Sequence, residues 1–493
     1  MPRQQAIGAP FSGTRCRSWQ GCTTMITLQP DSTTPLVRQV FDALATLIDK
    51  GSLRPGTRLP SVRGLAREQG ISTMTVTHAY QRLVAEAYVE ARRGSGYYVA
   101  APAKAQPRHR PFVGRTQVDS LWLIQRVFED DSALLNAGCG WLPPDWLHLE
   151  GVRQALASLA RKSPAGLAHY GSAHGYLPLR QQIQTQLAAR GVQASPHQLV
   201  LTHGATQALA LLGRCLLQPR DTVLVDSPGA TNFFAALRAM DLRLIGVERR
   251  LDGPDVQALA TLAQRHRPKA FFTTTTLHNP TGSQCSPEVA AQVLKLAEQH
   301  DFHLVENEVM AGLEPPGAVN LAALAPLGRV SYVGSFSKTI TPSLRVGFAA
   351  VSEDLAEKLV YQKMLGSLTS SELTEKLVHT VLVDGHYRTH LARLGERLAQ
   401  AQRQVCDGLE AAGMQLFTRP LGGPFVWAGL GHDGVDVQAV AQRAVAEGLM
   451  LAPGNLFRPD LRPTPWLRFN VAYAHDPRLY RFLSQEVKRA ARH

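Results

Sequence analysis

The 493-residue chain is poor in cysteine and has no long apolar segment. Its six cysteines, at positions 16, 22, 139, 215, 285 and 406, include no Cys-x-x-Cys pair and no grouping with metal-ligand spacing. This pattern excludes an obvious metal site and indicates reduced thiols, as in a cytoplasmic protein. No stretch is long and apolar enough to span a membrane. The N-terminus contains arginines but lacks the continuous apolar region of a signal peptide, and no internal repeat is evident.

Positive charge is concentrated at the start of the chain. The formal net charge of the whole chain is +13, and residues 1–110 contain fifteen Lys and Arg against six Asp and Glu, a net +9. A local basic excess of this kind is typical of a nucleic-acid-binding domain. The alternative is a solvated basic surface, or a domain used only for protein contacts.

The first hundred residues show the helix signals of a helix-turn-helix. An apolar face at helical spacing predicts a first helix that ends at Gly51, and its residues are Leu36, Val37, Val40, Phe41, Leu44, Leu47 and Ile48. Ser61 can cap a short second helix, and Ser72 or Thr73 a third. Gly70 supplies the turn between these two helices.

The third helix and the segment after it contain the candidate DNA contacts. The helix presents threonines near its N-terminus, as a recognition helix in the major groove would. Tyr88 to Val99 predicts a hairpin with a basic tip at Arg92 to Gly96, suited to phosphate or minor-groove contact. The candidate contact residues are Arg58, Arg63, Thr73, Thr75, Thr77, Arg92, Arg93 and Gly96.

Residues 52–66 (SLRPGTRLPSVRGLA), 70–80 (GISTMTVTHAY) and 92–99 (RRGSGYYV) closely resemble the winged helix-turn-helix of GntR-type regulators. The resemblance implies a double-stranded DNA operator as partner. Thr73 and Thr77 occupy positions where many relatives have arginine, so the operator sequence cannot be inferred from those relatives.

The domain boundaries follow from composition. Met25 directly precedes the segment leading into the first helix, so residues 1–24 are interpreted as a disordered or non-native extension. The DNA-binding domain is predicted to span residues 25–100. Residues 101–118 are rich in Pro, Ala and basic residues and predict a linker. The remainder, 119–493, is long enough for one large domain.

That large domain contains a lysine in a setting that suits pyridoxal phosphate, which is both an aldehyde and a phosphate. The run VGSFSK ends at Lys338, Arg345 follows seven positions later, and an Asn-Pro-Thr-Gly sequence begins at Asn279. A desolvated lysine near other cations loses its proton and can form a Schiff base. Hydroxyls and a guanidinium can hold the phosphate. Residues 201–207 (LTHGATQ) follow a probable strand and open an apolar helix, whose first N–H groups could also bind phosphate.

From Asn136 onward the chain resembles fold-type I, class I aminotransferases. The resemblance implies an α/β fold, with a large αβα domain and a smaller C-terminal α/β subdomain, and pyridoxal 5'-phosphate as cofactor. It implies that Lys338 attaches the cofactor and that Arg468, in the run PWLRFN, binds a substrate carboxylate. Tyr170, in the run HYG, would reach across a dimer to the partner's phosphate. The other implied cofactor contacts are Gly204, Ala205, Thr206, Asn279, Asn307, Ser335, Ser337 and Arg345.

Asn307 is the main departure from that family. In the run LVENEVM it occupies the place where relatives have an aspartate that keeps the cofactor's pyridine nitrogen protonated. A neutral amide gives no such ionic bias, so the ring should accept electrons poorly. A shift of one residue would instead bring Glu306 or Glu308 to the ring. Val309 and Met310 supply no phenol.

A second departure concerns the residue that stacks on the cofactor ring. Ala230 occupies the position that usually holds an aromatic residue. Phe233 or Phe234 could replace it.

A GntR-type domain before an aminotransferase-like domain is the organisation of MocR-type regulators, which the chain resembles in both halves. The resemblance implies a cytoplasmic, homodimeric transcription factor that binds pyridoxal phosphate and an amino compound. Asn307 in place of the aspartate predicts little or no transaminase turnover. Two alternatives remain: a working aminotransferase with an appended DNA-binding domain, and a sensor of vitamin B6 itself. The effector, the operator and the direction of regulation cannot be inferred from the sequence.

Overall fold

The computed structural model describes residues 26, 28–29, 34–92, 94–100, 134–161, 168–432 and 434–491, the side chain of Asn232 excepted. They form two compact units, one before and one after residues 101–133. The predicted N-terminal extension and the predicted linker both lie outside the described residues. Both therefore stay predictions.

The N-terminal unit has three helices followed by an antiparallel hairpin, as the sequence predicts. Its elements are α1 (Leu36–Asp49), α2 (Val62–Gln69), α3 (Thr73–Ala85), β1 (Val89–Arg92) and β2 (Gly96–Val99). The Ser61 side chain accepts the N–H of Gly64, and the Ser72 side chain accepts the N–H of Thr75, both at 3.0 Å. Gly70 ends α2 with φ of 64°. Both caps and the turn are thus confirmed, and Ser72 rather than Thr73 caps α3.

The C-terminal unit alternates strands and helices. Its helices are α4 (Leu149–Ala160), α5 (Leu177–Ala188), α6 (Ala205–Leu216), α7 (Thr231–Arg238), α8 (Val256–His266), α9 (Pro287–Gln299), α10 (Leu321–Leu324), α11 (Glu353–Ser367), α12 (Glu372–Val383), α13 (His386–Ala411), α14 (Val437–Ala446) and α15 (Pro477–Ala490). Its strands are β3 (Leu199–Thr202), β4 (Thr222–Ser227), β5 (Arg243–Arg250), β6 (Gly253–Pro254), β7 (Ala270–Thr273), β8 (His303–Glu308), β9 (Val330–Ser335), β10 (Gly347–Ala350), β11 (Gln415–Leu416), β12 (Phe425–Gly429), β13 (Ala452–Pro453) and β14 (Trp466–Asn470).

An eight-stranded mixed sheet forms the centre of the large domain, in the order β3-β10-β9-β8-β7-β4-β5-β6. Strands β9, β8, β7, β4 and β5 run parallel, and β10 is antiparallel to both of its neighbours. Consecutive residues such as Leu304 and Val305 belong to different hydrophobic clusters, one on each face. Burial of both faces is expected for parallel strands covered by helices. The predicted αβα architecture is confirmed.

The last part of the chain forms the smaller α/β subdomain. Its antiparallel sheet has the order β11-β12-β14-β13, and one hydrophobic cluster joins it to α13, α14 and α15. No helix in the described part of the chain is long and apolar enough to cross a membrane.

Candidate functional site

Three neighbouring strands bring the predicted phosphate-binding segments together. Gly347, the first residue of β10, pairs with Thr202 at the end of β3 and with Ser335 at the end of β9. The segments that follow β3 and β9, and the one that precedes β10, therefore meet at one edge of the sheet. Residues far apart in sequence, such as Gly204 and Arg345, become neighbours in this way.

Gly204 and Arg345 form the centre of a candidate phosphate cradle. Gly204 precedes α6 with φ of 76°, and a Cβ added there would lie 2.7 Å from a guanidinium nitrogen of Arg345. Arg345 also donates to the carbonyl of His203 at 3.2 Å. Ala205 and Thr206 open the helix, so their N–H groups are among those without partners inside it. A helix N-terminus beside a guanidinium favours a bound anion.

Ser335 and Ser337 complete this edge of the site. The Ser335 hydroxyl accepts the N–H of Ser337 at 3.2 Å, which ties the two serines together just before Lys338. The loop that presents the lysine is therefore held at the end of β9.

Lys338 lies in a desolvated position. Its Nζ donates to the carbonyl of Gly140. Burial lowers the pKa of Lys338 to about 8, and the nearby Arg468 and Arg345 act in the same direction. A lysine with a lowered pKa has a larger unprotonated fraction at neutral pH and can attack an aldehyde.

Arg468 lies buried on β14 with its guanidinium between two aromatic rings. It donates to the carbonyl of Gly138 at 2.8 Å and to the side-chain oxygen of Asn279 at 2.9 Å. Its Cζ lies 4.7 Å from the ring centroids of both Phe425 and Phe457. Burial lowers the pKa of Arg468 to about 10, and its Nε has no hydrogen-bond partner among the described residues. A guanidinium held in this way can bind a carboxylate through two parallel hydrogen bonds.

The Gly138–Gly140 segment was missed by the sequence analysis. Its carbonyls accept from both Arg468 and Lys338, and the side-chain nitrogen of Asn470 donates to the carbonyl of Cys139 at 3.1 Å. A Cβ on Gly138 would lie 2.3 Å from a backbone nitrogen of β13, so only glycine fits. Backbone carbonyls have no residue-type signature, so the only available signals were the Gly-Cys-Gly run and the asparagine at the end of β14.

Asn307 faces a small pocket at the end of β8. Its side-chain oxygen is buried and has no hydrogen-bond partner among the described residues. The other lining residues are Leu209, Asp226, Gly229, Ala230, Phe233, Phe234, Phe272, Thr273, Thr274 and His278. Phe233 and Phe234 thus border the pocket beside Ala230, as the sequence analysis allowed. An unsatisfied amide oxygen in an aromatic pocket fits a polar ring atom of a bound ligand.

Glu306 and Glu308 point away from this pocket. The Thr275 hydroxyl oxygen lies 2.5 Å from a carboxyl oxygen of Glu306 and 2.7 Å from one of Glu308, within hydrogen-bond distance of both, and both carboxyl groups are buried. Burial raises the pKa of Glu308 to about 8, with a further increase from Glu306. Because side chains alternate along a strand, Asn307 is the only one of these three consecutive residues that faces the pocket. Neither glutamate of the one-residue shift considered from the sequence lines this pocket.

Tyr170 is 79% exposed, and its carbonyl accepts from the hydroxyl of Thr369 at 2.8 Å. Its role at a partner subunit stays a prediction. Within the described ranges, no group of three or more His, Cys, Asp or Glu residues could hold a metal ion.

In α3, the predicted recognition helix, two of the three threonine hydroxyls are engaged in local hydrogen bonds. The hydroxyls of Thr75 and Ser72 are 2.8 Å apart, and the Thr77 hydroxyl donates to the carbonyl of Thr73 at 2.8 Å. Thr73 is exposed at the start of the helix. Of the three predicted threonines, Thr73 is therefore the most accessible to DNA.

The predicted basic contacts lie at the surface. Arg58, Arg63, Arg92 and Gly96 are exposed, and Arg92 stacks on Tyr98 with its Cζ 4.5 Å from the ring centroid. A Cβ on Gly96 would lie 3.5 Å from Nε of Arg58, which places this arginine beside the hairpin. Arg93 lies outside the described residues.

Each of the two units matches a known protein family. The model of aminotransferase class I and II matches residues 142–485, and the model of bacterial regulatory proteins of the gntR family matches residues 36–99. This chain belongs to the aminotransferase class I and II family and has a GntR-type helix-turn-helix domain at its N-terminal side. It thus has the architecture of a GntR-type regulator fused to an aminotransferase-like domain.

Similar proteins have both domains or the larger one alone. The HTH-type transcriptional regulator YdcR of Escherichia coli is 29% identical over 88% of this chain and 95% of its own length. The probable rhizopine catabolism regulatory protein MocR of Rhizobium meliloti is 29% identical, covering 85% and 89%. Among solved structures, the α-aminoadipate aminotransferase LysN from Thermus thermophilus, complexed with N-(5'-phosphopyridoxyl)-L-leucine, is 26% identical with a TM-score of 0.68, covering 75% of this chain and 95% of its own.

Proposed function

We propose that this protein is a cytoplasmic transcriptional regulator whose aminotransferase-like domain binds pyridoxal phosphate at Lys338 and senses an amino acid. The observation that supports this most directly is that Lys338 and Arg468 donate to the carbonyls of Gly140 and Gly138, two residues apart. A lysine that would hold an amine-exchanging aldehyde, close to a carboxylate-binding guanidinium, matches the amino and carboxylate groups of an α-amino acid.

The residues at the edge of the sheet fit the cofactor. Gly204, Ala205, Thr206, Ser335, Ser337 and Arg345 would hold its phosphate, and Asn279 its phenolate oxygen. The side chain of Asn307, which faces the pocket, would lie beside the ring nitrogen, and its amide N–H would donate to that nitrogen in the unprotonated form. When bound, pyridoxal phosphate supplies an aldehyde that exchanges amines and a ring that withdraws electrons.

We infer that the site turns over slowly. Completing a transamination requires removal of an α-proton, which is favoured when a carboxylate keeps the ring nitrogen protonated. The residue of β8 that faces the pocket is the neutral Asn307, and the carboxyl groups of Glu306 and Glu308 are bonded on the other side of the strand. The Asp226 carboxylate, which also lines the pocket, accepts from the hydroxyl of Thr273 and the N–H of Thr274. We expect Asn307→Asp to raise keto-acid production from amino acids at least tenfold. An unchanged rate would contradict this account of the ring environment.

The second candidate is an active aminotransferase with an appended DNA-binding domain. Lys338 and Arg468, which amine exchange and carboxylate binding would need, are both present. Rapid conversion of amino acids to keto acids by the unaltered protein would favour this candidate and reject the slow-turnover proposal.

The regulator would act on DNA as a homodimer. Tyr361, Leu365 and Leu368, on or next to α11, are exposed apolar residues, and Thr369 bonds to the carbonyl of Tyr170. Contiguous exposed apolar side chains are typical of a subunit interface. A second copy covering this surface would place Tyr170 in the interface and present two recognition helices to two half-sites. The test is the molar mass in solution of Leu365→Glu, which should change from dimer to monomer.

The test of the whole proposal is the visible absorption spectrum of the full-length protein after addition of pyridoxal phosphate. We expect a band that is lost in Lys338→Ala and that shifts and persists with one amino acid. The same amino acid should change the affinity for operator DNA. A protein without any Lys338-dependent band would contradict covalent cofactor binding.

A further inference from the structure

A fully buried lysine, Lys363 on α11, lies next to the candidate site without belonging to it. Its side chain has no exposed surface. Its Nζ donates to the carbonyl of Leu201 at 2.7 Å, to the hydroxyl of Ser370 at 2.8 Å and to the carbonyl of Ala173 at 2.9 Å. An ammonium group has three donors, so all of them are used.

The first of these partners leads directly to the phosphate cradle. Leu201 lies on β3, three residues before Gly204. Its N–H donates to the carbonyl of His174 at 2.8 Å, while its carbonyl accepts from Lys363. The end of β3 is therefore joined to the segment around Ala173 both directly and through the lysine.

The other two partners lead to the segment that carries Tyr170. Lys363 bonds to the carbonyl of Ala173 itself, and the Ser370 hydroxyl donates to Glu375. The carboxylate of Glu375 also accepts the N–H of Tyr176 at 2.8 Å. The lysine therefore acts on residues 170–176 at Ala173 and, through Ser370 and Glu375, at Tyr176.

Burial of the side chains of Lys363 and Glu375 is unfavourable unless hydrogen bonds replace their contacts with water. Burial lowers the pKa of Lys363 to about 8 and raises the pKa of Glu375. A buried ammonium without its partners would cost several kcal/mol. A methionine of similar size would pack in the same place without that cost, but it would leave the carbonyls of Leu201 and Ala173 without this donor.

We propose that Lys363 is a positioning residue, which holds the end of β3 and the Tyr170 segment in fixed relation and thereby sets the affinity for pyridoxal phosphate without touching it. This inference rests on the proposed function for its ligand. Its ligand-independent part is that Lys363 orders residues 170–176.

The experiment compares Lys363→Met with Lys358→Met in the full-length protein. Lys358 is exposed on the same helix, so it controls for loss of a positive charge from α11. We expect Lys363→Met to raise the dissociation constant for pyridoxal phosphate at least tenfold and to speed amide hydrogen exchange in residues 170–176. Lys358→Met should change neither quantity by more than twofold. Lys363→Arg, which keeps the charge and the donors, should recover part of the affinity.

Two further variants keep the inference testable if Lys363→Met folds poorly. Ser370→Ala and Glu375→Gln alter the connection from Lys363 to Tyr176 and leave the bonds of Lys363 to Leu201 and Ala173 in place, so each should weaken cofactor binding in the same direction by a smaller factor. A Tyr170→Phe change should be non-additive with Lys363→Met, because both act through the same segment. Fully additive effects, or normal cofactor affinity in Lys363→Met, would overturn the inference. If the unaltered protein does not bind the cofactor, the proposed function fails, whereas the exchange measurement still tests the positioning role.

Discussion

The guanidinium of Arg468 donates to the side-chain oxygen of Asn279 at 2.9 Å. This bond directly joins the residue proposed to bind a substrate carboxylate to the residue proposed to contact the cofactor's phenolate. It directs the amide oxygen of Asn279 to the arginine and leaves the amide nitrogen to donate elsewhere. An amino acid that binds Arg468 would therefore change the hydrogen bond to Asn279, the residue proposed to contact the cofactor. This bond is a physical route from amino-acid binding to a change in the cofactor's surroundings.

Replacing Arg468 with alanine should separate the sensing of an amino acid from cofactor binding. Loss of the charge-assisted pair costs about 3 kcal/mol, or roughly 100-fold in amino-acid affinity. Pyridoxal phosphate binding should be retained. Titration of the visible band measures both the affinity for the amino acid and the affinity for pyridoxal phosphate. Arg478→Ala, at an exposed position on α15, is the control. A regulatory response to pyridoxal phosphate on operator DNA that is unchanged in Arg468→Ala would favour a sensor of vitamin B6 alone.

Gly204→Ala should prevent tight cofactor binding. The backbone there has φ of 76°, and the added Cβ would meet the guanidinium of Arg345 at 2.7 Å. The backbone strain and the displacement of Arg345 would both distort the phosphate cradle. We therefore expect the dissociation constant for pyridoxal phosphate to rise at least tenfold. Gly328→Ala is the matched control, because a Cβ there has no neighbour within 4 Å. Equal affinities of the two variants for pyridoxal phosphate would show that Gly204 and Arg345 do not belong to the phosphate site.

The buried carboxyl pair should make stability depend on pH. The pKa of Glu308 is raised to about 8 in the folded protein, above the ordinary value of about 4.3 in an unfolded chain. Between these values the folded state binds more protons than the unfolded state, so the contribution of Glu308 to stability is lost as pH rises from about 5 to about 8.

The measurement is the apparent Tm of the C-terminal unit across this pH range. In Glu308→Gln the decrease in apparent Tm with rising pH should be smaller, because the amide does not ionise. Glu298→Gln, exposed on α9, should keep the original pH dependence. An unchanged profile in Glu308→Gln would show that other groups cause the decrease.

Arg92→Ala should weaken DNA binding similarly for all sequences. Arg92 is exposed at the base of the hairpin tip, a position suited to a phosphate rather than a base. Loss of one phosphate contact lowers the slope of log K against log salt by about one. Arg481→Ala, on α15 of the other unit, should leave the slope unchanged. A loss confined to one operator sequence would instead assign Arg92 to base recognition.

Much of this molecule was predictable because its signals are local. The caps at Ser61 and Ser72 and the hairpin depend on residues close together in the chain. The cofactor motif around Lys338 was recognised from the spacing of residue types. Even the orientation of Asn307 relative to Glu306 and Glu308 follows from alternation along one strand, although the sequence analysis left that register open.

Other features depend on contacts between distant segments. Gly138 and Gly140 are recognisable as site residues only once their carbonyls lie beside Arg468 and Lys338.

The sequence by itself determined the order of the two domains and the elements of the winged helix-turn-helix, and it predicted the chemistry of the lysine site. The tertiary structure alone decided which backbone carbonyls meet the two functional cations, and that Lys363, which looks like any helical lysine in the sequence, is buried between β3 and the Tyr170 segment. The physical reason is that residue type and local spacing encode propensity and reactivity, whereas burial and hydrogen-bond partners depend on the packing of the whole chain.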